Sequence, residues 1–119
     1  MKIAISSQGE GFDALLDPRF GRARMLVIYD EETKDFSAID NMQNLNAAQG
    51  AGIQSAQTVS KSGAKVLITG HCGPKAFKAL KAAGISIFTA PQTSIADALD
   101  LYKKGGLREA TNPDVEGHW

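Results

Sequence analysis

"KVLITGHCGPKAFKALKAAGISIF", residues 65–88, decides the fold. "KVLI" (65–68) is an apolar run rich in β-branched residues, as a buried strand requires. Pro74 suits the first turn of a helix, and Ala76, Phe77, Leu80 and Ala83 follow at helical spacing. Gly84 is placed to stop that helix, and "ISIF" (85–88) is a second short β run. A strand, a helix and a strand in close succession predict a parallel crossover. Between strand and helix lies Thr69–Gly73, which holds the only cysteine, Cys72, beside His71.

The rest of the pattern builds outward from this unit. Lys2–Ser6 alternates, with Ile3 and Ile5 on one face, and predicts a first strand. A long polar stretch (7–23) reads mostly as loop, with a helical turn over Phe12–Leu16 left open. "RMLVIYD" (24–30) and "DFSAIDN" (35–41), separated by "EETK", predict an antiparallel hairpin. "NAAQGAGIQSAQTVSKSG" (46–63) has helical spacing at Ile53, Ala56 and Val59, with Gly63 as its stop. "SIADALDLYKKG" (94–105) opens with the capping pattern Ser94-x-x-Asp97 and presents Ile95, Ala98, Leu99 and Tyr102 to a core. The order β-β-β-α-β-α-β-α predicts a mixed five-stranded sheet with helices on its faces. Residues 1–107 read as a single domain and 108–119 as a polar, flexible tail, where His118 and Trp119 receive no role.

Composition narrows the function. With 13 basic and 13 acidic residues the formal net charge is zero, and no Arg/Lys run with interleaved aromatics marks a nucleic-acid partner. No apolar stretch approaches membrane-spanning length or a signal segment, and a single cysteine suits a reducing cytoplasm. One cysteine excludes a Cys₄ zinc or iron–sulfur site built by one chain. Gly9-x-Gly11-x-x-Ala14 with Asp30 beyond mimics a dinucleotide fingerprint. Asp17-Pro18 would stop the required crossover helix, so a glycine loop is expected and no nucleotide. No P-loop is present.

Two segments carry chemistry. "DPRFGRAR" packs Arg19, Arg22 and Arg24 into a turn; guanidinium groups suit an anionic ligand. The alternative is a local pairing of Asp17 with an arginine while Phe20 plugs the core; Arg24 reads as a plain surface charge. The second is Gly70-His71-Cys72-Gly73-Pro74, at the carboxyl end of a parallel strand, where open α/β sheets bind ligands. Its glycines allow close approach or positive φ, and a thiol at a helix start is biased toward thiolate. The alternative is a small buried Cys72 and an ordinary loop His71. No base is visibly oriented for a thiol enzyme, and no complete catalytic constellation is present.

"DPRFGRA", "DN" after the third strand, "GAG", "ITGHCGPKAFKALKAAGISIF" and "KKGGL", in this order and spacing, give a chain that resembles the dinitrogenase iron–molybdenum cofactor biosynthesis family. That family comprises the NifX-like proteins and the NifB carboxyl-terminal domain. The resemblance implies a three-layer α/β/α domain with a ribonuclease H-like motif. It also implies a non-catalytic carrier of an iron–sulfur cluster or iron–molybdenum cofactor precursor, exchanging it with donor and acceptor proteins as a monomer or weak homodimer. A preassembled cluster brings its own sulfides, so few protein ligands suffice. His71 and Cys72 are then the candidate metal ligands. Arg19, Phe20, Gly21, Arg22, Gly70, Gly73 and Pro74 are the candidate cofactor-binding residues. A redox-responsive or anion-binding regulatory module using the same crevice, or a nucleotide- or thiol-dependent enzyme, are the alternatives.

Overall fold

The computed structural model describes residues 1–41 and 51–111. Six strands form one mixed sheet: β1 (Lys2–Ser7), β2 (Met25–Asp30), β3 (Phe36–Asp40), β4 (Ala64–Thr69), β5 (Ser86–Thr89) and β6 (Arg108–Glu109). The helices are α1 (Ala51–Lys61), α2 (Pro74–Ala82) and α3 (Ile95–Lys103). Strand order is β3-β2-β1-β4-β5-β6; β1, β4 and β5 run parallel, and the other neighbours pair antiparallel.

The five-stranded expectation is corrected by β6. Its two residues pair with β5, Phe88 against Glu109 and Thr89 against Arg108, and the Ala110 amide donates to the Ile87 carbonyl at 2.7 Å. "RE" has neither apolar alternation nor β-branching, so no hydrophobic pattern announces it; an open β5 edge supplies the backbone partners that make it a strand.

Alternation along the strands divides the core between two faces. Ala4, Leu26, Ile28, Leu67 and Ile87 point toward α1 and α2, meeting Ala56, Val59, Ala76 and Leu80. Ile3, Ile5, Val27, Val66 and Ile68 point the other way and meet Ile95, Ala98 and Leu99 of α3. Two helices on one face and one on the other make three layers. On α1 the buried stripe is Gly52, Ser55, Ala56 and Val59, while Ile53 is exposed. Small residues make up most of that buried stripe. The pattern's first residues, 46–50, lie outside the described part of the chain.

Local signals act as their chemistry requires. Gly63 and Gly84 take φ of 86° and 78° just past α1 and α2. The Ser94 hydroxyl accepts from the Asp97 amide at 3.1 Å and caps α3. The hairpin turn is held by Asp30, whose carboxylate accepts from the amides of Glu32 (2.9 Å) and Thr33 (3.4 Å). This gives Asp30 a turn-forming task. Because β1 and β2 are antiparallel neighbours, no crossover helix follows the Gly9–Ala14 loop. Phe12–Leu16 is not helical: a turn closes from the Ala14 amide to the Gly11 carbonyl (3.1 Å), and Leu15 and Leu16 make single β-bridges to Ser94 and Ser7.

Candidate functional site

The long loop between β1 and β2 is anchored to three elements. The amides of Ile95 and Ala96, at the start of α3, donate to the carbonyls of Ala14 (2.9 Å) and Phe12 (3.0 Å), satisfying first-turn donors that no helical carbonyl can reach. The Asp17 amide donates to the Ser6 carbonyl at 2.9 Å. Ser6 Oγ lies 2.7 Å from both the Asp17 carbonyl oxygen and Thr69 Oγ1. A serine hydroxyl has one proton and a carbonyl only accepts, so Ser6 donates to Asp17 and Thr69 donates to Ser6. All three residues are buried, and this relay ties the ends of β1 and β4 to the loop.

One step further, the two segments singled out in the sequence meet. The His71 amide donates to the Pro18 carbonyl at 2.6 Å, and the Phe20 amide donates to the His71 carbonyl at 3.3 Å, a parallel bridge between Arg19 and His71. Gly70 is what lets them approach: a Cβ there would lie 2.6 Å from Pro18 Cα and 2.9 Å from its oxygen. Its role is therefore close packing. Gly73 takes an ordinary extended conformation (φ −74°) as the residue before α2.

The side chains separate by exposure. Arg19 and His71 are exposed and Arg22 is half-buried, whereas Phe20, Gly21, Cys72 and Gly73 are buried. Phe20 and Cys72 join Ala76 and Leu80 in the core on the α1/α2 face, so Phe20 is the core plug that the local reading of this segment expects. The Asp17 carboxylate, 3% exposed as a side chain, accepts from the Arg19 amide at 2.9 Å and from Arg19 Nε at 3.4 Å. This local pairing still leaves about half of the Arg19 side chain exposed at the mouth of the loop. Arg24 is exposed beside β2, as expected of a surface charge.

Pro74 begins α2 with no side-chain cap before it, so the helix presents its amino-terminal dipole to the Gly70–Gly73 loop. Among the described residues no group of three or more His, Cys, Asp or Glu side chains is close enough to hold a metal ion. None of the described helices is long and apolar enough to cross a membrane. Ser6, Thr69 and Pro18, to which the sequence gives no part in the site, hold these loops together. Their one legible signal is Ser6, a hydroxyl ending an apolar strand.

Comparison with known proteins agrees with this architecture. A family model described as dinitrogenase iron-molybdenum cofactor matches residues 1–105. The apo form of the orange protein from Desulfovibrio gigas superposes with a TM-score of 0.92 and is 41% identical, covering 96% of each chain. A Thermotoga protein assigned to the NifB type is 31% identical with a TM-score of 0.86, covering 98% of each chain. An uncharacterized protein of Methanocaldococcus jannaschii is 30% identical over 111 residues, 92% of this chain and 91% of that one. The chain belongs to the dinitrogenase iron–molybdenum cofactor family.

Proposed function

We propose that the protein is a non-catalytic carrier that binds an iron–sulfur or iron–molybdenum-type cofactor, or its precursor, and passes it to another protein. The observation that carries this reading is the Arg19–His71 bridge, a backbone pairing that brings two exposed residues, an arginine and a histidine, together at the carboxyl ends of β1 and β4. Parallel sheets bind ligands at this edge, and the start of α2 adds its dipole to the positive side chains. The family match and the Thermotoga relative favour a cofactor-assembly role. The ribonuclease H-like reading of the strand order, with β6 added at the edge, belongs to the same proposal, as does a cytoplasmic location.

The residues suit cargo that arrives assembled. A site without three clustered metal-binding side chains does not build a cluster, but one imidazole and nearby cations can hold an anionic one. His71 is exposed at this edge. Cys72, 3% exposed, contributes its sulfur only if the Gly70–Gly73 loop opens. Arg19 and Arg22 offset the charge.

Anaerobic reconstitution with iron and sulfide, or with a cofactor precursor, tests the proposal through visible absorption and iron counting. Wild type is expected to take up a coloured group, and the His71→Ala/Cys72→Ala double variant to lose most of it. A silent wild-type spectrum sinks the carrier reading. A second reading, an anion-binding regulatory module, rests on the burial of Cys72 beside the exposed Arg19 and half-buried Arg22. It predicts a silent reconstitution together with retained binding of an anion.

A further inference from the structure

Between Asp40 and Asp97 the chain has no Asp or Glu, yet it carries Lys61, Lys65, Lys75, Lys78 and Lys81. In a protein of zero net charge this forces the carboxylates elsewhere. Six of the 13 lie on the β2–β3 turn (Asp30, Glu31, Glu32, Asp35) and on α3 (Asp97, Asp100). α1 and α2 lie together on one face of the sheet, and neither helix carries a carboxylate. Lys75, Lys78 and Lys81 are exposed and three residues apart on α2, so like charges are neighbours. Lys75 also sits in the first helical turn, where the dipole disfavours a cation. Lys81 has Glu109 at 3.8 Å; among the described residues Lys75 and Lys78 have no carboxylate within ion-pair distance.

Helix stability does not explain such an arrangement, whereas attraction of an acidic surface does. We infer that the outer face of the α1/α2 layer is a docking surface for a protein partner with an acidic surface. β3 and β4 run in the same direction, so both helices start at the crevice end of the sheet, and a partner seated there faces Arg19 and His71. Ile53, 37% exposed near the start of α1, supplies an apolar contact within a charged rim, the usual anatomy of a protein interface. A nucleic-acid partner fits less well. The stretch contains no arginine, and Phe77, the one aromatic residue of α1 and α2, is half-buried and packed against the core. That the partner donates or accepts a cofactor rests on the carrier reading above; the surface itself does not.

The test is titration of the isotope-labelled full chain with a polyglutamate peptide at low ionic strength, followed by NMR. Shifts should centre on α2 and the start of α1 and fade at about 0.15 M salt. The Lys75→Glu/Lys78→Glu variant should bind about tenfold more weakly, while Lys104→Glu, on the opposite face, binds as wild type. Shifts spread evenly over all lysines, or equal binding by the double variant, overturn the proposal. Tighter binding of this face to single-stranded DNA or to phosphatidylglycerol vesicles also overturns it. Cofactor uptake by Lys75→Glu/Lys78→Glu should match wild type. Failure of the carrier reading would therefore show as an uncoloured wild type with the peptide result intact.

Discussion

At Gly70 a methyl group would sit 2.6 Å from Pro18 Cα and 2.8 Å from its Cβ, against a backbone and ring that cannot swing away. Gly70→Ala is therefore expected to push the two loops apart and destabilise the protein by about 1–3 kcal/mol. The measurement is urea denaturation, with amide exchange at His71 and Phe20 reporting whether the bridge opens. Unchanged protection at both amides would remove the case for a steric lock. Asp17 makes the complementary case: Asp17→Ala leaves the Arg19 amide without its acceptor and should cost about 1–3 kcal/mol. Asp17→Asn keeps an acceptor oxygen and should lose less. The sequence shows the two arginine and cysteine segments but not their meeting. Gly70 and Pro18 are far apart in the chain, and a glycine needed for contact looks in sequence like one needed for a turn.

Among the elements, the β2–β3 hairpin has a pH dependence with a defined sign. The amide of Glu32 is the main cause that holds the Asp30 carboxyl below its ordinary 3.8; desolvation opposes it, and the Thr33 amide adds a smaller lowering. A carboxyl depressed in the folded state binds fewer protons than in the unfolded one. Its contribution is present above pH 3.8 and disappears as pH falls through the lower folded value. Amide exchange in the hairpin should thus accelerate below that point in wild type, and Asp30→Ala should flatten the dependence while exchanging faster at neutral pH. α3 offers a simpler check: Ser94→Ala should destabilise by about 1 kcal/mol in thermal denaturation, through loss of the cap on the Asp97 amide. These elements were legible because each rests on a short-range rule: a capping serine, a stopping glycine, a polar spacer between alternating runs. Ile53 misleads for the opposite reason. Its spacing is helical, but the buried stripe of α1 runs through Gly52, Ser55, Ala56 and Val59 instead.

On the scale of the whole molecule, the sheet is shared by two cores, and its β5 edge is closed by a strand that no hydrophobic pattern announces. Residues just beyond Leu107 do more than trail from the last helix. Arg108 and Glu109 pair with β5, the Thr89 hydroxyl donates to the Arg108 carbonyl at 3.4 Å, and Ala110 packs against the core on the α1/α2 face. Leu107 packs on the α3 face. A chain cut after Leu107 keeps α1, α2 and α3 but leaves the backbone donors and acceptors of β5 open along the sheet edge. Such an edge pairs with whatever strand it meets. That truncation should lower stability by about 1–3 kcal/mol from the lost hydrogen bonds and Ala110 packing. It should also sediment partly as dimers or larger species at concentrations where the full chain does not. A second chain cut after Thr111 retains β6 and should match the full chain in both urea midpoint and sedimentation. If both truncations behave alike, β6 is decoration and the sheet is in effect five-stranded; if only the shorter one associates, those two residues are what close the edge.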